Sequence, residues 1–195
     1  WTLLPWQEVL FWGPFFVALG YDLLVTRLAA LRDRIGPLHI EPAFSVIVPC
    51  LAADRALEDC LDSVRQQTRQ PAEVLLASAD PLNITEERYP FPLEQLVAPV
   101  GRGNQIHAAI ERAKAPWIVV LHADSTLPAH ALTQLTTALR AAPDTVGGAF
   151  GQRFKPESIR TLPIELLNDA RSLLAQMPFG DQVQFFRRDL AIRFD

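Results

Sequence analysis

From Phe44 onward the chain repeats one pattern: a short unbroken apolar run, a polar break, then apolar residues every three or four positions. Phe44-Ser45-Val46-Ile47-Val48, closed by Pro49, is such a run. So are Glu73-Val74-Leu75-Leu76-Ala77, residues 93–98 and Trp117-Ile118-Val119-Val120-Leu121. Their length and β-branched content predict buried strands. Residues 146–154, begun through Gly147-Gly148, and residues 183–186 predict two more. Between them the spacing predicts helices. One is capped by Asp54 and runs to about Thr68, with Leu57, Leu61 and Val64 inward. Another covers residues 101–114, with Ile106 and Ile110 inward. A third is opened by Pro128 and runs through Arg140, and a fourth covers residues 158–176 apart from Pro163.

Unbroken apolar strands alternating with helices indicate an α/β fold, a mainly parallel Rossmann-like sheet flanked by helices. Ligands of such sheets bind outside the carboxyl ends of the strands. That rule selects the segments after Val48, after Ala77, around Gly101 and after Leu121.

Residues 1–36 show a different pattern. Over residues 9–31 apolar residues dominate, interrupted by Asp22 and Arg27. As helix this stretch would be about 34 Å long at about 1.5 Å per residue, enough to cross a bilayer. Gly13-Pro14 can instead divide it, leaving an interfacial helix with Leu23, Leu24, Leu28, Leu31 and Ile35 on one face. Trp1, Trp6, Trp12 and Tyr21 suit a lipid–water interface. Arg27, Arg32 and Arg34 place the rest of the chain on the cytoplasmic side, so the expectation is a membrane-associated protein. A helix docked on protein is the alternative. Residues 37–43 read as a linker and residues 44–195 as the α/β domain. Starting at Trp1, with Met177 its only methionine, the chain reads as a piece of a longer protein.

Composition narrows the classes further. With 49% hydrophobic and 21% charged residues the chain can pack a core. A net charge of −4 gives no reason to expect nucleic acid as a partner. Cys50 and Cys60 match neither a zinc spacing nor a CxxC redox motif, and read as reduced, structural thiols.

The richest candidate chemistry comes after Leu121. His122-Ala123-Asp124-Ser125 puts polar groups at a strand's carboxyl end, where a carboxylate can hold a divalent cation bridging two phosphates. His122 can be a second ligand or a phosphate donor. Asp124 can equally make a turn or cap the next helix. Gly101-Arg102-Gly103-Asn104-Gln105 is neither GxGxxG nor a P-loop. Its glycines still allow backbone amides to approach a phosphate beside Arg102, or they form an ordinary loop-to-helix junction. In Phe179-Gly180-Asp181-Gln182, Asp181 can act as a general base or make a turn. Asn168 and Arg171 share a helix face.

Together these segments resemble the family 2 glycosyltransferases, across about residues 44–188, and most nearly the bacterial arsenosugar-biosynthesis type. The matching features are Pro49, Gly101-Arg102 with Gln105, His122-Ala123-Asp124, and Leu127-Pro128. Further along come Gly147-Gly148-Ala149-Phe150, Asn168 with Arg171, Gly180-Asp181-Gln182 and Arg187-Arg188.

The resemblance implies a GT-A fold, a nucleoside-diphosphate-sugar donor, a divalent metal (Mg or Mn) and transfer with inversion to an acceptor it does not identify. It places Asp124 and His122 at the metal, and Pro49, Ser78, Asp80, Arg102 and Gln105 around the donor. Asp181 falls on the acceptor side. Where the family usually has an Asn-Glu pair after the first strand, this chain has Ala52-Ala53 and then Asp54. Ser78 stands where an Asp is usual, with Asp80 two residues on. The family's later Glu-Asp motif does not occur before Asp195. The expected function is therefore a metal-dependent glycosyltransferase. The alternative is a degenerate GT-A module, without catalysis, serving as a membrane-tethered scaffold or partner subunit. A nucleotidyltransferase would need a glycine-rich, lysine-containing segment after the first strand, which is absent.

Overall fold

The computed structural model describes residues 36, 38, 40–151, 153, 165 and 182–193. The hydrophobic residues 1–35, the helix expected over residues 158–176, and Asn168, Arg171 and Asp181 lie outside the described residues. The chain divides after His39, and the unit from Ile40 onward is the one described below. No helix among the described residues is long and apolar enough to cross a membrane.

In chain order the elements are β1 (Phe44–Pro49), α1 (Arg55–Arg65), β2 (Glu73–Ser78), β3 (Leu93–Val97), α2 (Arg102–Arg112) and β4 (Trp117–Val120). They continue with α3 (Ala131–Ala141), β5 (Gly147–Ala149), β6 (Gln184–Arg187) and α4 (Arg188–Arg193). A short 3₁₀ turn, Glu86–Arg88, precedes β3. Among the described residues the strands form one sheet in the order β3-β2-β1-β4-β6-β5. The pairs β1–β2, β1–β4 and β2–β3 are parallel, and β6 runs against both β4 and β5. The fold is thus α/β with a mainly parallel sheet, as the apolar runs predict.

β1, β2 and β4 are buried along their whole length, which explains why they read as unbroken apolar runs. On one face Ile47, Leu75, Ala77, Ile118 and Val120 pack with Ala109 and Ala113 from α2 and the loop after it. Val46, Val48, Val74, Leu76 and Val119 point to the opposite face and are as deeply buried. The stripe Leu57, Cys60, Leu61 and Val64 of α1 is buried too.

A polar knot inside the core sets where β4 begins. Ser45 Oγ donates to Glu73 Oε1 at 2.6 Å, tying β1 to β2. The same carboxylate oxygen accepts from the Lys114 amide at 2.6 Å, and Ser45 Oγ accepts from the Ala115 amide at 3.0 Å. The turn before β4 is therefore bonded to both neighbouring strands, and β4 starts with Trp117 opposite Phe44.

Two expected boundaries shift. Pro128 does not open α3, which begins at Ala131. The Pro128 carbonyl accepts from Ala131 N at 2.9 Å and from Gln67 Nε2 at 2.8 Å, holding the proline in a turn one step before the helix. The strand expected over 146–154 is only Gly147–Ala149. Its glycines lie tight against β6. A Cβ on Gly147 would sit 2.8 Å from the Phe185 carbonyl oxygen, whereas one on Gly148 would meet the ring tip of Phe185 at 2.7 Å. Backbone cannot move aside as a ring can. Gly147→Ala is therefore expected to cost about 1–3 kcal/mol, and Gly148→Ala less. Urea unfolding of both variants checks the order.

Candidate functional site

The strand order identifies one place where the chain reverses its direction of growth. From β1 it moves outward through β2 to β3, then returns across β1 to β4. In such sheets ligands bind in the crevice outside the carboxyl ends of the strands at such a reversal, here the ends of β1 and β4. Two segments border it: residues 50–54 after β1, and residues 121–130 after β4. Leu121 N donates to Ile47 O and joins the two edges, and Cys50 N donates to Ala77 O and ties the β1 edge to β2, each at 2.9 Å.

On the β4 side, His122 to Ser125 form a tight turn in which Ser125 N donates to His122 O at 2.9 Å. Ser125 Oγ lies 3.3 Å from Asp124 Oδ1, and Asp124 is exposed while His122 is partly buried. Among the described residues no three His, Cys, Asp or Glu side chains form a metal-holding group. Magnesium-type ions take one or two carboxylates from protein and their remaining ligands from phosphate and water. The exposed Asp124 carboxylate fits such a role.

On the β1 side, Leu51, Ala52 and Ala53 are exposed. Asp54 is engaged elsewhere, because its Oδ1 accepts from Leu57 N at 3.0 Å and caps α1. Pro49 is buried as the last residue of β1, opposite Ala77. Ser78 is also buried, and its hydroxyl donates to the Asp80 carbonyl at 2.5 Å, so it shapes the turn that presents the exposed Asp80.

Gly101 begins α2 with φ 118°, a conformation that glycine adopts without strain, and no side chain caps the helix start. Arg102 comes next as an exposed residue on the carboxyl side of the sheet. Gln105 departs from expectation. It is only 3% exposed, and its Nε2 donates to the Cys50 carbonyl at 3.2 Å. It supports the loop after β1.

The register also separates the late motifs. Val120 pairs with Gln184, so the buried Gln182 comes to the carboxyl edge of the sheet beside the crevice. Asp181, one residue earlier, lies outside the described residues. Arg187 pairs with Trp117 at the opposite edge, where its guanidinium grips Asp189 at 2.7 and 3.0 Å and holds that carboxyl below its usual range. Arg187 is therefore remote from the crevice.

A further set of residues near the crevice escapes a local reading. Cys60, Ser63 and Gln67 all bond the segment after β4. The sequence signal for them is faint: Ser63 and Gln67 are polar residues beside the apolar stripe of α1. Both thiols are buried and free. Burial, with the Asp124 and Cys50 charges behind it, pushes the Cys60 thiol up to about 12, and burial with Asp54 pushes Cys50 up to about 11.

Comparison with known proteins fits this geometry. The family model described as glycosyl transferase family 2 matches residues 45–192. No curated protein matches the chain in sequence. Among solved structures, a Pyrobaculum calidifontis mannosyltransferase in complex with GDP-Man and Mn²⁺ is similar, with TM-score 0.59 and 21% identity over 90% of this chain and 55% of that one. S. aureus TarS is also similar. Its UDP complex gives TM-score 0.56 and 15% identity over 78% of this chain and 49% of that one. Its UDP-GlcNAc complex gives TM-score 0.55 and 15% identity, with coverage of 78% and 47%. The chain thus spans about half the length of these structures.

The thiols carry a pH signature. Both ionise less readily in the folded chain than at their ordinary value of 9.0. Stability contributed by the protonated thiols is full below pH 9 and is lost as pH rises toward 11 and 12. The urea midpoint is expected to fall above pH 9, and to fall less steeply in Cys60→Ala. A pH series of urea titrations checks both.

Proposed function

The chain belongs to glycosyl transferase family 2, and from that premise we propose that it transfers a sugar from a nucleoside-diphosphate donor, with a divalent cation, to an acceptor. The observation that carries the reading is the exposed Asp124 carboxylate at the crevice between β1 and β4. The similar mannosyltransferase and TarS, crystallised with GDP-Man and Mn²⁺ and with UDP-GlcNAc, support a donor of this class. The kinship with the arsenosugar-biosynthesis type is part of the proposal and rests on the order of the short motifs.

Asp124, with His122 beside it, would hold Mg²⁺ or Mn²⁺. The ion's chemical contribution is to neutralise charge on the departing diphosphate. Arg102, at the uncapped start of α2, supplies a guanidinium suited to the same phosphates. Exposed Asp80, presented by the Ser78 turn, would meet the nucleoside. In an inverting transfer the acceptor hydroxyl oxygen bonds to the anomeric carbon as the bond from that carbon to the diphosphate oxygen breaks. The hydroxyl proton passes to a base, the role assigned to Asp181.

Residues 1–36 form a hydrophobic segment, residues 37–43 a linker, and residues 44–195 the transferase domain. The long apolar run and the arginines after it support membrane association with that domain on the cytoplasmic side.

A second reading, a non-catalytic GT-A scaffold, is favoured by one observation. Ala52 and Ala53 border the crevice without polar groups, and Asp54 is committed to capping α1. Nucleotide binding separates the two. For the enzyme, calorimetry is expected to show UDP or GDP binding that requires Mn²⁺. Asp124→Ala is then expected to weaken it at least about tenfold, the loss of one charge-assisted contact. Absence of Mn²⁺-dependent binding in the wild-type protein would favour the scaffold.

A further inference from the structure

Building on the donor-site reading above, we propose that Cys60 and Ser63 of α1, with Gln67 just after it, are positioning residues for the turn that carries Asp124. Residues 121–130 contain no regular structure, yet their backbone is bonded to α1 and its end at several points. The Cys60 thiol donates to the His122 carbonyl at 3.5 Å. Ser63 Oγ accepts from Leu127 N at 3.0 Å while donating to the Cys60 carbonyl at 2.6 Å. Gln67 uses both ends of its amide. Nε2 donates to the Pro128 carbonyl at 2.8 Å and to the Ser63 carbonyl at 3.1 Å, and Oε1 accepts from Leu132 N at 3.1 Å. Thr68 N adds a bond to the Ala129 carbonyl at 2.9 Å.

Asp124 lies between two of these anchors, His122 and Leu127. Cys60 and Ser63 stand three residues apart on α1, and Gln67 follows just past the end of the helix. Ser63 and Gln67 are nearly inaccessible, at 9% and 4% exposure, and their bonds to the Leu127 and Leu132 amides are buried, so those amides have no water to turn to. An aliphatic residue at 67 would take the acceptor from the Leu132 amide and a donor from the Ser63 and Pro128 carbonyls, of which Pro128 keeps its bond from Ala131 N. Glutamine is suited to the place because its side chain is donor and acceptor at once. The consequence for binding is entropic. A carboxylate on a turn fixed beforehand loses little freedom when a cation arrives, whereas one on a loose turn must be ordered by the ligand.

The test uses the full chain, with Mn²⁺ and UDP or GDP as probes. Gln67→Met keeps length and removes every hydrogen bond of the amide; Ser63→Ala removes a single hydroxyl and serves if the first variant folds poorly. Leu93→Ala, at the buried first position of the edge strand β3, is the control for general destabilisation. The expected result is an approximately tenfold rise in the Mn²⁺ concentration needed for half-maximal nucleotide binding, with wild-type binding regained at saturating Mn²⁺. Hydrogen exchange at the Leu127 and Leu132 amides should quicken in the absence of any ligand. The control should lose stability without changing its Mn²⁺ requirement. An unchanged Mn²⁺ requirement in the Gln67 and Ser63 variants, or an equal shift in the control, would overturn the assignment alone. A wild-type protein that binds neither nucleotide with Mn²⁺ would overturn the donor reading and this assignment with it.

Discussion

The parallel pairing of β1 with β4 is the constraint on which the rest of the structure depends. It brings together segments about seventy residues apart and creates the reversal of strand order that opens the crevice. Its register depends on Ser45 and Glu73, whose buried side chains take the amides of Lys114 and Ala115 just before β4 begins. Buried polar groups of this kind are costly unless paired, so a slipped register would strand a carboxylate and two amides together. The knot lies at the amino end of the strands, yet it decides which residues emerge at the carboxyl end.

At that end the chain divides labour between exposed and buried polar residues. Asp124, Asp80 and Arg102 face solvent, where a phosphate-bearing ligand can reach them. Gln105, Ser78, Ser63 and Gln67 are buried and bond to backbone. They give the loops after β1, β2 and β4 a definite shape without helix or strand. Asp54 belongs with this second group because it caps α1, the helix that in turn holds the Asp124 turn. The alanines at 52 and 53 leave the segment after β1 less polar than the turn after β4.

Much of this is legible along the chain. Trp117 to Leu121 reads as a buried strand because a strand covered on both faces has no polar side to alternate with. His122-Ala123-Asp124 stands out because polar residues succeed such a run abruptly. The α1 cap at Asp54 is local, three residues from its partner. Gln105 misleads for the opposite reason. Beside Gly101-Arg102 it looks like part of a phosphate loop, but helical geometry turns it inward onto Cys50, fifty-five positions earlier. Pro128 suits a first helical turn, yet a bond from Gln67 keeps it in the preceding loop.

By itself the sequence determined the α/β alternation, the strands that are buried, the segments at the carboxyl ends, and the family to which the chain belongs. These rest on periodicity, local capping and motif order, all carried by neighbours in sequence. Only the tertiary structure decided the strand order, the antiparallel course of β6 that brings Gln182 to the crevice and sends Arg187 to the far edge, and the bonding of the Asp124 turn to α1. Those features depend on hydrogen bonds between residues some sixty or more positions apart. No local pattern encodes such a partner, because a buried amide or hydroxyl is satisfied by whichever backbone the fold delivers to it.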